Sequence, residues 1–245
     1  MSSLLVAIYN VPIFRLRKEL VFPPPHLAEP DGLLAVGGDL SVKRLLLAYS
    51  MGVFPWYSDD SPVLWWSPDP RLVLFPDELK ISRSLRRTIR KGTFTVTMDA
   101  AFEQVISSCA GLHATDKGGT WITEDMVKAY MLLHKAGFAH SIESWHEGRL
   151  SGGLYGVSLG SIFFGESMFA RKSDASKVAF AFLVGRLQEW GCSVIDCQVT
   201  TSHMRHFGAR EIARDKFLAL LNAGLKQPTR KGSWRENKAG SQSPR

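Results

Sequence analysis

Cysteine is scarce in this 245-residue chain: only Cys109, Cys192 and Cys197 occur, an odd number, each in a largely apolar stretch. That pattern excludes the disulfide framework of a small secreted domain and points to a reducing compartment, the cytoplasm. A long hydrophobic run is also missing. The segment from Leu4 to Phe14 is apolar but short, is interrupted by Asn10 and Pro12, and has no basic residue before it. It therefore reads as a first core strand rather than a signal peptide or a membrane span. Acidic residues are nearly absent at the C-terminus, where Lys226 to Arg245 holds six Lys or Arg and one Glu, or +5. Subtracting +5 from the net +7 leaves +2 for the rest of the chain, so total charge is no argument for a nucleic-acid partner. Pro228, Gly232, Gly240 and Pro244 make the same tail read as disordered.

What is present is enough apolar material, 45% of residues, to bury a core without staples. Pro23-Pro24-Pro25 breaks the chain after the first strand. A helix over Val42 to Ser50 follows, capped by Asp39 or Ser41 and ended by Gly52. The stretch from Phe54 to Pro76 is dense in Trp and Pro and reads as rigid loop and short strand. Phe94 to Met98 alternates as a strand, Asp99 is placed to cap a helix carrying Phe102, Val105, Ile106 and Cys109, and Thr123 to cap another that stops at Gly137. Ala139 to Phe169 reads as an antiparallel meander with turns at residues 146–149 and 158–160. A helix from Ala175 to Trp190, apolar nearly all round, leads into a strand from Val194 to Val199. The expected fold is α+β, a mixed, largely antiparallel sheet with flanking helices over residues 63–225. A small N-terminal domain, residues 1–62, precedes it and a disordered basic tail, residues 226–245, follows.

Alternation along the last strand puts Asp196 and Gln198 on one face, roughly 7 Å apart, with Ile195, Cys197 and Val199 on the other. Glu166 is the one charged residue in the row Ile162, Phe164, Glu166, Met168. A single interior acid that caps a helix or meets an arginine needs no functional explanation, whereas two on neighbouring strands call for one. Near residue 81, Ile81, Leu85 and Ile89 form a helical stripe opposite Arg83, Arg86, Arg87, Arg90 and Lys91. Five cations without an acid make a phosphate-sized basic face, set against the ordinary reading of a solvated helix surface. Trp56 follows Pro55 in a loop and Trp121 precedes a helix cap, so each ring is placed either to stack on an unpaired base or to anchor the core. Gly152-Gly153-Leu154-Tyr155-Gly156 lacks both the dinucleotide spacing and a phosphate-loop lysine and reads as close packing within the sheet. His203 and His206 have no further matched ligands, so no metal is expected. Cys197, facing away from Asp196, reads as packing.

Seven segments taken together resemble the leucyl/phenylalanyl-tRNA-protein transferases. They are Gly37-Gly38-Asp39-Leu40-Ser41, Gly52-Val53-Phe54-Pro55-Trp56, Leu64-Trp65-Trp66-Ser67-Pro68-Asp69-Pro70-Arg71, Ile81-Ser82-Arg83-Ser84, Thr120-Trp121-Ile122-Thr123, Phe164-Gly165-Glu166-Ser167-Met168-Phe169 and Ile195-Asp196-Cys197-Gln198-Val199. The resemblance spans residues 20 to 222. It implies a catalytic domain of the acyl-CoA N-acyltransferase type turned to an aminoacyl-tRNA donor. It also implies transfer of Leu or Phe, and Met less well, to the N-terminal Arg or Lys of a protein, marking that protein for degradation. It brings no metal and no organic cofactor, no membrane partner, and a monomeric enzyme. It places Trp56, Trp121 and Tyr130 at the terminal adenosine of the tRNA, and Asp196, Gln198 and Glu166, with Tyr130 beside them, in the active centre. The aminoacyl side-chain pocket falls on Leu154, Phe163, Phe180, Leu183 and Ile195. On this reading Gln198 orients the acceptor amine, Asp196 holds Gln198 or takes up a proton, and Glu166 positions the ribose end or the basic acceptor. The rival readings are an acyl-CoA-dependent acetyltransferase, against which stands the lack of a Gly-rich pyrophosphate turn at a helix start, and a non-catalytic tRNA-binding module.

Overall fold

The computed structural model describes residues 13–113 and 122–235, so most of the expected first strand lies outside the described residues. Phe14–Leu16 (β1), Leu33–Gly37 (β2), Phe54–Pro55 (β3) and Leu64–Trp66 (β4) form a four-stranded sheet in the order β1-β2-β4-β3. Strand β4 belongs to this smaller sheet and lies past the expected boundary at residue 62. The reason is Trp65, fully buried, whose indole N–H donates to the Gly37 carbonyl at 2.8 Å and commits the strand to this side. The first helix runs over Val42–Ser50 (α1), and its cap is Ser41, whose side chain accepts the Arg44 N–H.

The larger sheet has seven strands: Arg71–Leu74 (β5), Thr95–Met98 (β6), Ala139–His146 (β7), Arg149–Leu159 (β8), Ile162–Ala170 (β9), Val194–Gln198 (β10) and Arg210–Ile212 (β11). Their order is β11-β5-β10-β9-β8-β7-β6, antiparallel at every pairing except β9 with β10. That one parallel pair requires a crossover, which Ala175–Glu189 (α5) supplies. The remaining helices are Arg83–Arg90 (α2), Phe102–His113 (α3), Glu124–Lys135 (α4), Ser202–His206 (α6) and Arg214–Gly224 (α7). One face of the sheet packs Val105, Tyr130, Tyr155, Phe164 and Phe217 against α1, α3, α4, α7 and the smaller sheet. The other packs Leu72, Phe163, Phe180, Leu183 and Ile195 against α2 and α5. Among the described residues no helix is long and apolar enough to cross a membrane.

Two local expectations change. Asp99 does not cap α3. It sits in the left-handed region at φ 52, and its carboxylate accepts the Ser141 N–H at 3.0 Å and the Trp234 N–H at 2.7 Å, beside His140 Nδ1 at 3.0 Å. The main-chain N–H groups of Ala100 and Ala101, just ahead of α3, reach the buried Glu143 carboxylate instead. The basic tail, read as disordered from Lys226, packs as far as Arg235. Trp234 is buried and stacked on His140 with ring centroids 3.7 Å apart, and Thr229 accepts the Gly160 N–H at 2.8 Å. One large ring placed in a groove outweighs the polar composition around it.

The glycines of β8 do pack closely. A Cβ on Gly156 would lie 2.2 Å from the Phe164 carbonyl oxygen and 2.5 Å from the Phe163 ring, so the glycine lets Phe163 lie across its neighbour strand. Gly156→Ala is therefore expected to destabilise the fold by about 3 kcal/mol. Gly185→Ala, on α5 with open space around it, is expected to cost nothing and to gain up to about 1 kcal/mol. Urea midpoints of the two variants measure the contrast.

Candidate active site

The pairing of β9 with β10 runs Val194↔Ile162, Ile195↔Phe163, Asp196↔Phe164 and then stops. Both strands carry an irregularity at that point. On β9, Tyr155 pairs with Ser167 and Gly156 with Gly165, leaving Glu166 as the extra residue. On β10, Asp196 pairs with Val73 and Gln198 with Leu72, leaving Cys197 extra. Gln198 takes φ 62, a left-handed conformation that costs a residue with a side chain about 1 kcal/mol or more. Beyond the last pair the strands part, and the gap is a cavity of about 310 Å³.

All five residues expected to form a side-chain pocket line this cavity: Leu154, Phe163, Phe180, Leu183 and Ile195. Met168, Cys197, His203 and Met204 also contribute to the wall. The bulge explains Met168, which lies with Phe163 rather than in a row with Ile162 and Phe164, because the extra residue at Glu166 reverses the alternation. The polar end is formed by Glu166 and Gln198. Glu166 Oε1 accepts from Tyr49 Oη at 2.8 Å and from Gln198 Nε2 at 2.9 Å, and Oε2 accepts from Tyr130 Oη at 2.8 Å. Tyr49 and Tyr130 also bond to each other through their hydroxyls. Three oxygen-to-oxygen contacts thus close a ring. Two phenolic protons cannot fill all three; with Glu166 protonated, its own proton fills one of its two tyrosine contacts and leaves that tyrosine to donate to the other. Burial pushes the Glu166 carboxyl up to about 7; the Tyr49 and Tyr130 hydrogen bonds pull it down and the charge of Asp196 pushes it up. Burial also raises both tyrosines well above their ordinary range, which keeps them donors.

Asp196 and Gln198 do not share a face as simple alternation expects. Asp196 is fully buried, off the cavity, with Oδ1 2.8 Å from Arg71 Nε and Oδ2 2.7 Å from Arg71 Nη2. It holds Gln198 by the main chain, accepting the Gln198 N–H at 2.9 Å, and not by the side chain. The bulge turns Gln198 to the cavity side, while Cys197 keeps its expected side, with Ile195 and away from Asp196, packed against the core at the cavity wall. Burial pushes the Cys197 thiol up, and the neighbouring Asp196 charge pushes it further, away from any nucleophilic role.

Trp56 stands at the cavity rim, 41% exposed, with the Trp66 indole N–H donating to its carbonyl at 2.6 Å. Trp121 lies outside the described residues. Arg83, Arg86, Arg87, Arg90 and Lys91 are all exposed on or at the end of α2, and among the described residues none forms an ion pair. Helix α2 is capped by Ser82 and anchored by buried Leu85, while Ile89, expected in the same apolar stripe, is 39% exposed. Sequence reasoning missed Tyr49 and Arg71. Tyr49 was hidden in the apolar stripe of α1, but Arg71, alone at the head of the apolar strand Arg71-Leu72-Val73-Leu74, was the visible partner for a buried acid.

Comparison with known proteins bears on the class. Residues 73–222 match the sequence model of a family described as leucyl/phenylalanyl-tRNA protein transferase, and residues 38–69 match that of its N-terminal domain. A leucyl/phenylalanyl-tRNA--protein transferase of Syntrophobacter fumaroxidans is 60% identical over 224 residues, covering 91% of this chain and 96% of its own. The one from Myxococcus xanthus is 54% identical over 231 residues, covering 94% and 99%. Among solved structures, L-PGS from Bacillus licheniformis superposes with a TM-score of 0.37 at 15% identity, over 66% of this chain and 52% of that one. A GCN5-related N-acetyltransferase from Kribbella flavida gives 0.36 at 12%, over 69% and 60%. Overlaps this slight carry no inference. The protein is a transferase. More narrowly, it belongs to the leucyl/phenylalanyl-tRNA protein transferase family.

The raised Glu166 carboxyl has a consequence for stability. Its folded value of about 7 lies above the ordinary 4.5, so the group stabilises the fold below pH 4.5 and that contribution is lost as pH rises towards 7. Glu166→Gln removes this loss. Relative to the variant, the wild-type protein is expected to lose on the order of 2 kcal/mol between pH 4.5 and 7, as read from urea unfolding at each pH.

Proposed function

We propose that this chain moves Leu or Phe, and Met less well, from an aminoacyl-tRNA to the N-terminal Arg or Lys of acceptor proteins in the cytoplasm, marking them for degradation. The observation that carries this reading is the cavity: largely apolar walls sized for one side chain, a polar end where Glu166 and Gln198 meet, and an exposed tryptophan at the rim. An acetyl group would leave most of such a cavity empty, and a module that only bound RNA would have no use for it.

An aminoacyl ester is already activated, so the reaction needs a neutral, aligned amine rather than an enzyme nucleophile. The Leu, Phe or Met side chain of the donor fills the apolar cavity, Trp56 stacks on the terminal adenine, and the scissile ester comes to the polar end. Gln198 donates a hydrogen bond from Nε2 to Glu166 Oε1, which turns the Gln198 carbonyl oxygen to accept from the incoming amine. That amine has an ordinary pKa of roughly 7.7 to 8, close enough to Glu166 for the carboxylate to take a proton from it. The nitrogen bonds to the ester carbon, the carbon–oxygen bond to ribose breaks, the departing ribose oxygen leaves with the proton that the nitrogen then loses, and the proton taken up by Glu166 passes to solvent. Tyr49 and Tyr130 hold Glu166 in place and set where it titrates. Asp196 acts one step back, through the Gln198 main chain. The basic face of α2 meets the phosphates of the donor.

The protein mixed with Leu-tRNA or Phe-tRNA and a peptide beginning with Arg is expected to add one residue to the peptide, seen by mass and abolished by ribonuclease pretreatment. Absence of the gain with every basic N-terminus would sink the proposal. The single-turnover rate is expected to rise with pH through about 7, as Glu166 ionises. In Tyr49→Phe, which loses a hydrogen bond to the ionised form, that rise should move to higher pH. Replacing Arg83, Arg86 and Arg87 by Ala should weaken tRNA binding and flatten its salt dependence by about three counterions while leaving a minimal aminoacyl-adenosine donor unaffected.

A further inference from the structure

Arg71 is 1% exposed and is used on three sides. Its Nε and Nη2 grip the two oxygens of Asp196 as a fork, at 2.8 and 2.7 Å. Its guanidinium lies over the Phe54 ring at 4.8 Å and the Phe217 ring at 4.7 Å. Phe54 belongs to β3 of the smaller sheet, two residues before Trp56, and Phe217 to α7, so one cation ties the rim loop, the C-terminal helix and the catalytic strand together. A buried ion pair is poor ground for stability, since apolar replacements of equal volume often do as well. What an apolar pair would not supply is orientation. The fork fixes the plane of the Asp196 carboxylate, whose Oδ1 then accepts the Gln198 N–H at 2.9 Å. That anchor holds Gln198 at φ 62, the turn that brings its Nε2 to 2.9 Å from Glu166 Oε1.

We propose that Arg71 is a positioning residue for the transfer reaction, aligning Asp196 so that this carboxylate locks the Gln198 main chain and turns the Gln198 amide onto Glu166. The inference rests on the proposed transfer and concerns the geometry of the fork, not its charge. Lysine keeps the charge and loses the fork, so Arg71→Lys separates the two.

The test measures transfer from an aminoacyl-adenosine donor to an Arg peptide by the wild-type protein, Arg71→Lys, and the double variant Arg71→Met with Asp196→Asn, which removes both buried charges. Wild-type transfer is established first, and its absence would defeat the function itself. Given wild-type transfer, kcat in Arg71→Lys is expected to fall tenfold or more, with KM for the donor and tRNA affinity unchanged within twofold. Its rise of rate with pH should stay near its wild-type position. The double variant, folded by its thermal melt, should also lose tenfold or more in kcat. Its rate should rise at lower pH than in the wild type, because the Asp196 charge that pushes Glu166 up is gone. Arg71→Lys within threefold of wild type would overturn the proposal, as would a loss confined to KM or tRNA affinity. Unfolding of both variants would overturn it too, by assigning Arg71 to folding alone.

Discussion

The site exists because two parallel strands stop pairing. While β9 and β10 run side by side their main chains satisfy each other, and nothing can enter between them. Past Asp196↔Phe164 the bond ladder ends, and the free edges need other partners. On one side the Gln198 N–H is taken by the Asp196 side chain; on the other the Glu166 bulge is held by two tyrosines from α1 and α4. The cavity, its polar end and the positions of Glu166 and Gln198 follow from that single break in pairing.

Two acids stand near this break, and their surroundings divide them. Asp196 meets a guanidinium at close range on both oxygens and sits away from the cavity. Among the described residues Glu166 meets only neutral donors, two phenols and an amide, and burial raises it towards neutrality. A carboxyl with no cation beside it is free to exchange a proton at physiological pH, whereas one gripped by arginine is committed to holding structure. The division of labour between the two therefore follows from which one the arginine reaches, and Arg71 reaches only the acid on β10, the neighbour of its own strand.

Much of this was legible in the sequence. Helix α1 begins and ends at the expected residues because Ser41 and Gly52 punctuate it, and the β7-β8-β9 meander was readable from its turns. The five pocket residues came from the resemblance, and they line one cavity. What failed was strict alternation. A period of two assumes an unbroken ladder, and the bulges at Glu166 and Cys197 each add one residue that no side-chain pattern announces. Hence Met168 and Gln198 lie on the faces opposite to those that alternation expects, while Cys197 stays with Ile195 as expected. Trp234 was lost for a different reason: composition averages over a segment, while a single aromatic ring stacked on His140 decides where that segment lies.

On the proposed reading, helix α5 links recognition to chemistry. Its inner side carries Phe180 and Leu183 into the cavity wall. Just ahead of its first turn, Asp174 accepts from Thr88 Oγ1 of α2 at 3.3 Å, the helix that bears the five cations. On the proposed reading, the phosphates of the donor and its esterified side chain are gripped by two helices packed on each other, with no loop between them to absorb a misfit. A donor seated wrongly on α2 would then bring its ester to the wrong height against Glu166 and Gln198. The contact between α2 and α5 thereby turns affinity for the body of the RNA into alignment at the reacting carbon, which is where binding energy accelerates a reaction whose ester is already activated.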